Sequence, residues 1–263
     1  MSFADVSAVT AIEGGFTAQG DPAWLQGRFV YGGLMMAWAV RAMAAVVDDP
    51  ARALRTLQAE LLTSPGAEAV FLSVRVLRRG RSATQLCAEL SDGQRPFAMV
   101  TATFAEPRAR DADFDQAAPP EVPAADQLIV LPHFPMMPAF AKNFEFRFAW
   151  GGAPLSQAER AETGAWVRLA EPPPVFDDAL VIGTLDAIWP AFLPRLAAMR
   201  PIGTVSFAAH LFPRSPALTP EVPVLLLADA QRTADGYCSQ ENTLWGPDGS
   251  LIARGIQLVA IVK

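Results

Sequence analysis

Lysine, histidine and cysteine are all scarce in this sequence. Its 263 residues include two lysines against nineteen arginines, two histidines and two cysteines. Cys87 and Cys238 lie outside any Cys-x-x-Cys spacing, so neither a disulfide framework nor a structural zinc site is expected. Two histidines, His133 and His210, are too few for a histidine-rich metal centre. We therefore expect no metal and no cofactor.

Charge is also sparse, and this excludes further classes of protein. Charged residues make up 18% of the chain, hydrophobic residues 51%, and the net charge is −6. This composition excludes a disordered chain and offers no basic surface for nucleic acid. The most apolar stretch, residues 33–47, contains Arg41 and falls short of the ~20 residues of a membrane span, so we expect no membrane insertion. The N-terminus lacks the features of a signal peptide, and the cytoplasm is the expected location.

A stretch rich in Ala, Pro and charge separates two more apolar halves. Residues 107–128 show neither strand nor helix periodicity and are interpreted as a linker. The sequence therefore predicts an N-terminal unit over 1–106 and a C-terminal unit over 129–263.

The two halves share residues at constant offsets, which indicates an internal duplication. Two residues recur after 148 positions and three after 156 positions. The matching sets are Thr56 and Pro65 with Thr204 and Pro213, and Gly80, Asp92 and Gly93 with Gly236, Asp248 and Gly249.

Each half also repeats one order of elements. A helix that is apolar nearly all round opens at Gly32-Gly33, and a second is predicted over 178–196, where Pro190 would bend or shorten it. Alternating strands follow each helix, and Asp-Gly pairs mark hairpin turns. Helices separated from a run of antiparallel strands indicate the α+β class. The predicted strands include 54–62, 71–79, 144–150, 164–171, 204–212, 222–232, 238–246 and 251–262.

Four motifs in this order resemble the acyl-CoA thioesterase II family. They are Tyr-Gly-Gly at 31–33, Gly-Arg-Ser at 80–82, Thr-x-Ser at 204–206 and a Gln near the C-terminus. The resemblance covers nearly the whole chain except 107–140. It implies a double hotdog, two fused copies of a fold in which a curved antiparallel sheet wraps one long helix.

The resemblance also implies a catalytic trio of Asp186, Thr204 and Gln257. Subtracting the constant offsets gives Trp38, Thr56 and Thr101 as the first-half counterparts. Only the threonine keeps its type. The first half would therefore lack the carboxylate and the amide, leaving one site in the second half.

The residues themselves support part of this assignment. Asp186 is a lone carboxylate on an otherwise apolar helix face, and buried carboxylates are rare unless paired or hydrogen-bonded. Gln257 lies among apolar strand residues. Asp186 as a solvated helix residue and Gln257 as an outward strand residue are the open alternatives. Thr204 alone is an ordinary strand threonine.

The implied reaction is hydrolysis of fatty acyl-CoA to a fatty acid and CoA. Asp186 would act as general base, Thr204 and Gln257 would hold the water, and N–H groups of a helix start would stabilise the oxyanion. That start lies either near Gly32-Gly33 or before Asp186. The predicted substrate-binding residues are Gly32, Gly33, Met36, Trp189 and His210. We expect a homo-oligomer, a dimer or higher.

Departures from the family pattern leave the substrate range open. Leu34, Ser206 and Leu258 stand at positions where the family commonly has other residues. Two alternatives therefore remain at this point: a non-catalytic protein that binds acyl-CoA or a fatty ligand, and a hotdog hydratase. The hydratase is the weaker alternative because a catalytic histidine has no clear candidate.

Overall fold

A computed structural model describes residues 1–108 and 114–261. Residues 109–113 of the predicted linker and 262–263 at the C-terminus lie outside the described residues. The helices are α1 (Phe3–Val6), α2 (Gly32–Val47) and α3 (Asp178–Leu185). The strands are β1 (Thr10–Ile12), β2 (Gly15–Gln19), β3 (Leu25–Gln26), β4 (Phe29–Val30), β5 (Ala53–Leu61), β6 (Ala69–Arg79), β7 (Ala83–Ser91), β8 (Pro96–Ala105), β9 (Phe144–Gly151), β10 (Glu162–Leu169), β11 (Ile202–Leu211), β12 (Val224–Ala234), β13 (Tyr237–Trp245) and β14 (Leu251–Ile261). None of the helices in this part of the chain is long and apolar enough to cross a membrane.

Within the described ranges, twelve of these strands form one continuous sheet. Its order is β1-β2-β6-β7-β8-β5-β11-β14-β13-β12-β10-β9, and the paired strands run antiparallel. The first six strands come from the first half of the chain and the last six from the second. The halves join where β5 pairs with β11. The predicted α+β class is confirmed, while the unit boundaries at 106 and 129 stay a prediction.

Helix α2 is buried because its sequence is apolar on almost every side. Side chains from Leu34 to Val40 are at most 2% exposed. Tyr31 precedes the helix in an extended conformation, and Asp48 ends it in the left-handed conformation, with its N–H donating to the Ala44 carbonyl. The sheet therefore encloses a helix that starts at Gly32, as the sequence predicts.

Helix α3 is shorter than predicted, and the expected helix over 178–196 is wrong beyond residue 185. It starts after Asp177, whose side chain accepts a hydrogen bond from the Leu180 N–H, and ends at Leu185. Pro190 cannot donate a helical hydrogen bond and disfavours helix before it. A second cause acts earlier: the Asn242 side chain takes the Leu185 carbonyl that a continuing helix would use.

Strand register corrects two of the counterparts that the constant offsets suggested. A β-bulge follows Leu54 in β5 and Thr204 in β11, so these two residues correspond, 150 positions apart (54 to 204). Leu57 then matches Phe207, and their partners Ala102 and Gln257 match in turn.

Leu54 rather than Thr56 is therefore the counterpart of Thr204, and Ala102 rather than Thr101 that of Gln257. Turns and loops between the strands differ in length, so no single offset runs along the chain.

Aromatic rings link the two halves around Trp24. This side chain is 1% exposed, and its ring centroid lies 5.5 Å from Phe3, 6.3 Å from Tyr31 and 6.0 Å from Phe144. Phe144 begins β9 of the second half, so Trp24 packs an element of the first half against an element of the second. Its indole N–H donates to the Met1 carbonyl at 3.0 Å.

Trp24→Ala is expected to lower the free energy of unfolding by about 3–5 kcal/mol, because it leaves a cavity among packed rings. Chemical denaturation of the full chain measures the loss. The control is Phe29→Ala, which truncates a side chain that is 41% exposed and should cost much less. Equal losses in the two variants would contradict the role assigned to Trp24.

Candidate active site

The end of α3 meets the start of α2, and Asp186 lies at that junction. It caps the C-terminus of α3, and the Gly33 N–H donates a hydrogen bond to its carboxylate. A methyl group added to Gly32 would lie 2.9 Å from Asp186 Oδ2. Only glycine at this position leaves the carboxylate its room. The partial positive charge of a helix N-terminus also favours an anion here.

Burial controls the ionisation of Asp186. Loss of solvent raises the pKa of its carboxyl from 3.8 to about 7, and the bond from Gly33 opposes this shift. The carboxyl therefore exchanges its proton near neutral pH, which suits a general base.

Tyr31 connects the same two helices. Its hydroxyl donates to the Gly183 carbonyl at 2.9 Å, and its ring stacks on Phe140 with centroids 4.3 Å apart. Burial, followed by the nearby Asp186 charge, raises the Tyr31 pKa well above its ordinary value, so the phenol stays protonated. Tyr31 thus holds the last turn of α3 against the start of α2 as a hydrogen-bond donor.

Thr204 and Gln257 are brought together on neighbouring strands. The Thr204 hydroxyl donates to Gln257 Oε1 at 3.1 Å, and Gln257 is 4% exposed on the inner face of β14. The bulge after Thr204 turns its side chain onto this inner face. Among the hydrogen bonds of the described residues, none joins the Asp186 carboxylate to either side chain.

The predicted substrate-binding residues occupy four different environments. Gly32 and Gly33 form the helix start beside Asp186. Met36 is fully buried in α2. Trp189 follows Asp186 in the chain and donates its indole N–H to Thr163 Oγ1 at 2.8 Å. His210 is exposed on β11, in register with Thr56 and Arg254, on the opposite face of the sheet from the buried Ala209.

Sequence reasoning missed two buried amides, Gln240 and Asn242. They are 1% and 0% exposed on the inner face of β13. Gln240 accepts from the Ala191 N–H and donates to Asn242, and Asn242 donates to the Leu185 carbonyl. A signal was present: in Cys-Ser-Gln-Glu-Asn-Thr (238–243) the two amides stand where a core-facing strand normally alternates apolar residues.

Family comparison matches both halves of the chain. Residues 21–105 match the acyl-CoA thioesterase N-terminal domain, and residues 113–261 match the acyl-CoA thioesterase C-terminal domain. This chain belongs to the acyl-CoA thioesterase family. The C-terminal match contains Asp186, Thr204 and Gln257. No curated protein matches the chain.

Solved structures share the fold of this acyl-CoA thioesterase family member. A hot dog fold protein of unknown function from Alicyclobacillus acidocaldarius has 22% identity and a TM-score of 0.87, over 99% of this chain and 98% of that one. The acyl-CoA thioesterase II TesB2 of Mycobacterium marinum has 16% identity and a TM-score of 0.79, over 99% and 98%. These likenesses confirm the double hotdog fold. Family membership supports thioester hydrolysis as the general class of activity.

Asp186→Asn is expected to stabilise the fold as the pH rises. The folded carboxyl keeps its proton up to about pH 7, whereas the unfolded one loses it near 3.8. The wild type therefore loses stability between these values, by up to about 4 kcal/mol, and the asparagine variant does not. Urea unfolding at a series of pH values measures the difference.

Asp92→Asn serves as the control with the opposite sign. Backbone N–H groups of Arg95 and Gln94 lower the pKa of Asp92 to about 2, so its contribution is present above pH 3.8 and is lost on acidification. A gain for Asp186→Asn that does not grow with pH would contradict the raised pKa.

Proposed function

We propose that this protein hydrolyses fatty acyl-CoA thioesters, with Asp186 as general base. The carrying observation is the position of the Asp186 carboxylate, which lies in the C-terminal thioesterase match and packs against Gly32 at the start of α2. Burial raises the pKa of this carboxyl to about 7. Thioester hydrolysis needs a water made nucleophilic near neutral pH, and this carboxylate supplies the proton acceptor.

Thr204 and Gln257 orient the attacking water in this proposal. Gln257 is inflexible because it is buried and its Oε1 accepts the Thr204 hydroxyl. That bond leaves the Gln257 amide NH2 group for another acceptor, the water oxygen. A water fixed in this way loses little further freedom on reaching the transition state.

The start of α2 stabilises the negative charge that forms during the reaction. The water oxygen bonds to the thioester carbonyl carbon as Asp186 takes its proton, and the carbonyl oxygen becomes an oxyanion. The Gly33 N–H is already bonded to the Asp186 carboxylate, so the Gly32 N–H at the helix start is the donor for this oxyanion. The carbon–sulfur bond then breaks, and the proton on Asp186 passes to the departing CoA thiolate.

The finer parts of the assignment stay predictions. These are the fatty acyl group of the substrate, the role in lipid metabolism that such a substrate implies, the cytoplasmic location and the homo-oligomer. The roles of Met36, Trp189 and His210 in substrate binding also stay predictions. Of these three, Trp189 lies nearest to Asp186 in the chain and is half-buried.

Asp186→Asn is expected to reduce thiol release from acyl-CoA by about 10²–10⁴-fold, since it removes the general base. The assay measures free CoA over acyl chains from short to long. Asp92→Asn, at an exposed hairpin turn, is the matched control and should keep wild-type turnover. Undiminished turnover in Asp186→Asn would refute the assignment of the base.

A wild type that binds acyl-CoA without releasing thiol would instead support the non-catalytic binding protein. Thermal shift with a non-hydrolysable thioether analogue of acyl-CoA detects such binding.

The pH dependence of kcat/KM gives a separate test. Only the ionised carboxylate accepts a proton, so the rate should rise about tenfold per pH unit on the acid side and level off above about pH 7. An acid limb centred near pH 4 would show that a carboxyl with an ordinary pKa, rather than Asp186, controls the reaction.

A further inference from the structure

Two neutral amides sit in the core of the second half without a part in the mechanism above. Gln240 and Asn242 point inward from β13 next to Cys238 and Leu244, which are both fully buried. Burying an amide costs several kcal/mol unless its hydrogen bonds are satisfied. An apolar side chain would serve core packing without this cost.

The hydrogen bonds of the pair run to one short segment of chain, residues 185–191. Asn242 Nδ2 donates to the Leu185 carbonyl at 3.0 Å, and Gln240 Oε1 accepts from the Ala191 N–H at 3.0 Å. Gln240 Nε2 donates to Asn242 Oδ1 at 2.8 Å and joins the two contacts. Both ends of the segment that carries Asp186 are therefore fixed to one strand.

Asn242 also contributes, together with Pro190, to ending α3. In a continuing helix, the Leu185 carbonyl would accept the N–H of Trp189, four residues on. Asn242 occupies that carbonyl instead. The chain leaves the helix at Asp186, whose carboxylate then reaches the Gly33 N–H at the start of α2.

The first half shows that the fold does not need these amides. Leu86 pairs with Ala102 as Gln240 pairs with Gln257, and Ala88 pairs with Val100 as Asn242 pairs with Gly255. Leu86 and Ala88 are both 0% exposed. The same strand thus packs with apolar residues where no carboxylate has to be held.

The same register gives a pattern across the whole site. Four polar residues of the second half each have an apolar residue at the equivalent position of the first half. The equivalent pairs are Thr204 and Leu54, Gln257 and Ala102, Gln240 and Leu86, and Asn242 and Ala88. All four counterparts are buried. These inner positions are therefore polar in the half that carries Asp186 and apolar in the half that has the same fold without it.

We propose that Gln240 and Asn242 are positioning residues that hold the Asp186 carboxylate at the start of α2. They act through the backbone of residues 185–191 and do not touch the substrate. The inference deepens the proposed hydrolysis and rests on it for its effect on rate.

The test replaces each amide by its first-half counterpart, giving Gln240→Leu and Asn242→Ala. We expect kcat to fall about 10- to 100-fold through misplacement of the base, with KM changed less than about threefold. The acid limb of the pH profile should also move below about pH 7, because a released carboxylate regains solvent. If Asn242→Ala does not fold, the same measurements on Gln240→Leu provide the test.

Thr84→Val is the matched control on β7 of the first half. Thr84 is buried, and the change removes its part-buried hydrogen bond from Arg52 Nη1 to Thr84 Oγ1 at 2.6 Å, far from α3 in sequence. It should lower the unfolding temperature but leave kcat and the acid limb in place. If the amide variants lose stability as Thr84→Val does, with kcat and the acid limb unchanged, the positioning role is overturned.

A readout without activity separates this inference from the proposed function. Titration of the Asp186 carboxyl by 13C NMR should give a lower pKa in Asn242→Ala than in the wild type. If the wild type releases no thiol but this shift is seen, the positioning stands and the proposed hydrolysis fails. If the wild type is active and the Asp186 titration is the same in both proteins, the positioning fails and the hydrolysis stands.

Discussion

The Asp186 carboxylate rests against the first turn of α2, in a space that a single methyl group on Gly32 would take away. The carboxylate comes from the second half of the chain and the helix start from the first. Neither half alone therefore contains the candidate site. The pairing of β5 with β11 in one sheet, and the Tyr31 bond to Gly183, both keep these two pieces at the same relative position.

The site is held mainly by hydrogen bonds, not by ion pairs. Arginine side chains form the salt bridges of the described residues, including Arg41 with Asp177 and Arg214 with Asp178 at the opposite end of α3. At the Asp186 end of α3 the hydrogen-bonding groups are neutral. The Gly33 N–H donates to the carboxylate, the Tyr31 hydroxyl donates to a carbonyl of α3, and the amides of β13 bond to the chain on either side of Asp186. A cation beside Asp186 would lower its pKa and weaken it as a base, so neutral partners preserve its basicity.

Features that depend on neighbouring residues could be predicted from the sequence. The apolar run after Gly32-Gly33 was enough to place α2, and the motif order was enough for the family and the fold. The Asp186, Thr204 and Gln257 positions came from the resemblance, and their role stays a prediction.

What the sequence could not show depends on contacts across long separations. Besides Pro190, helix α3 is ended by Asn242, which is 57 positions away from the carbonyl it binds. The counterparts of Thr204 and Gln257 that the offsets predict, Thr56 and Thr101, are wrong because turns and loops of unequal length change the offset along the chain. Gln240 and Asn242 broke the expected apolar alternation of β13, but only the fold shows what they bind.

The covalent join between the halves has a genetic consequence. Two identical chains paired about a twofold axis present the same residue at both equivalent positions, because one codon specifies them. In this chain, position 54 and position 204 are separate codons and hold leucine and threonine. One copy of the repeat is therefore free to keep an apolar core that stabilises the whole protein. The other copy can accumulate buried polar residues, and the free-energy cost of burying them arises once rather than in both subunits of a symmetric pair.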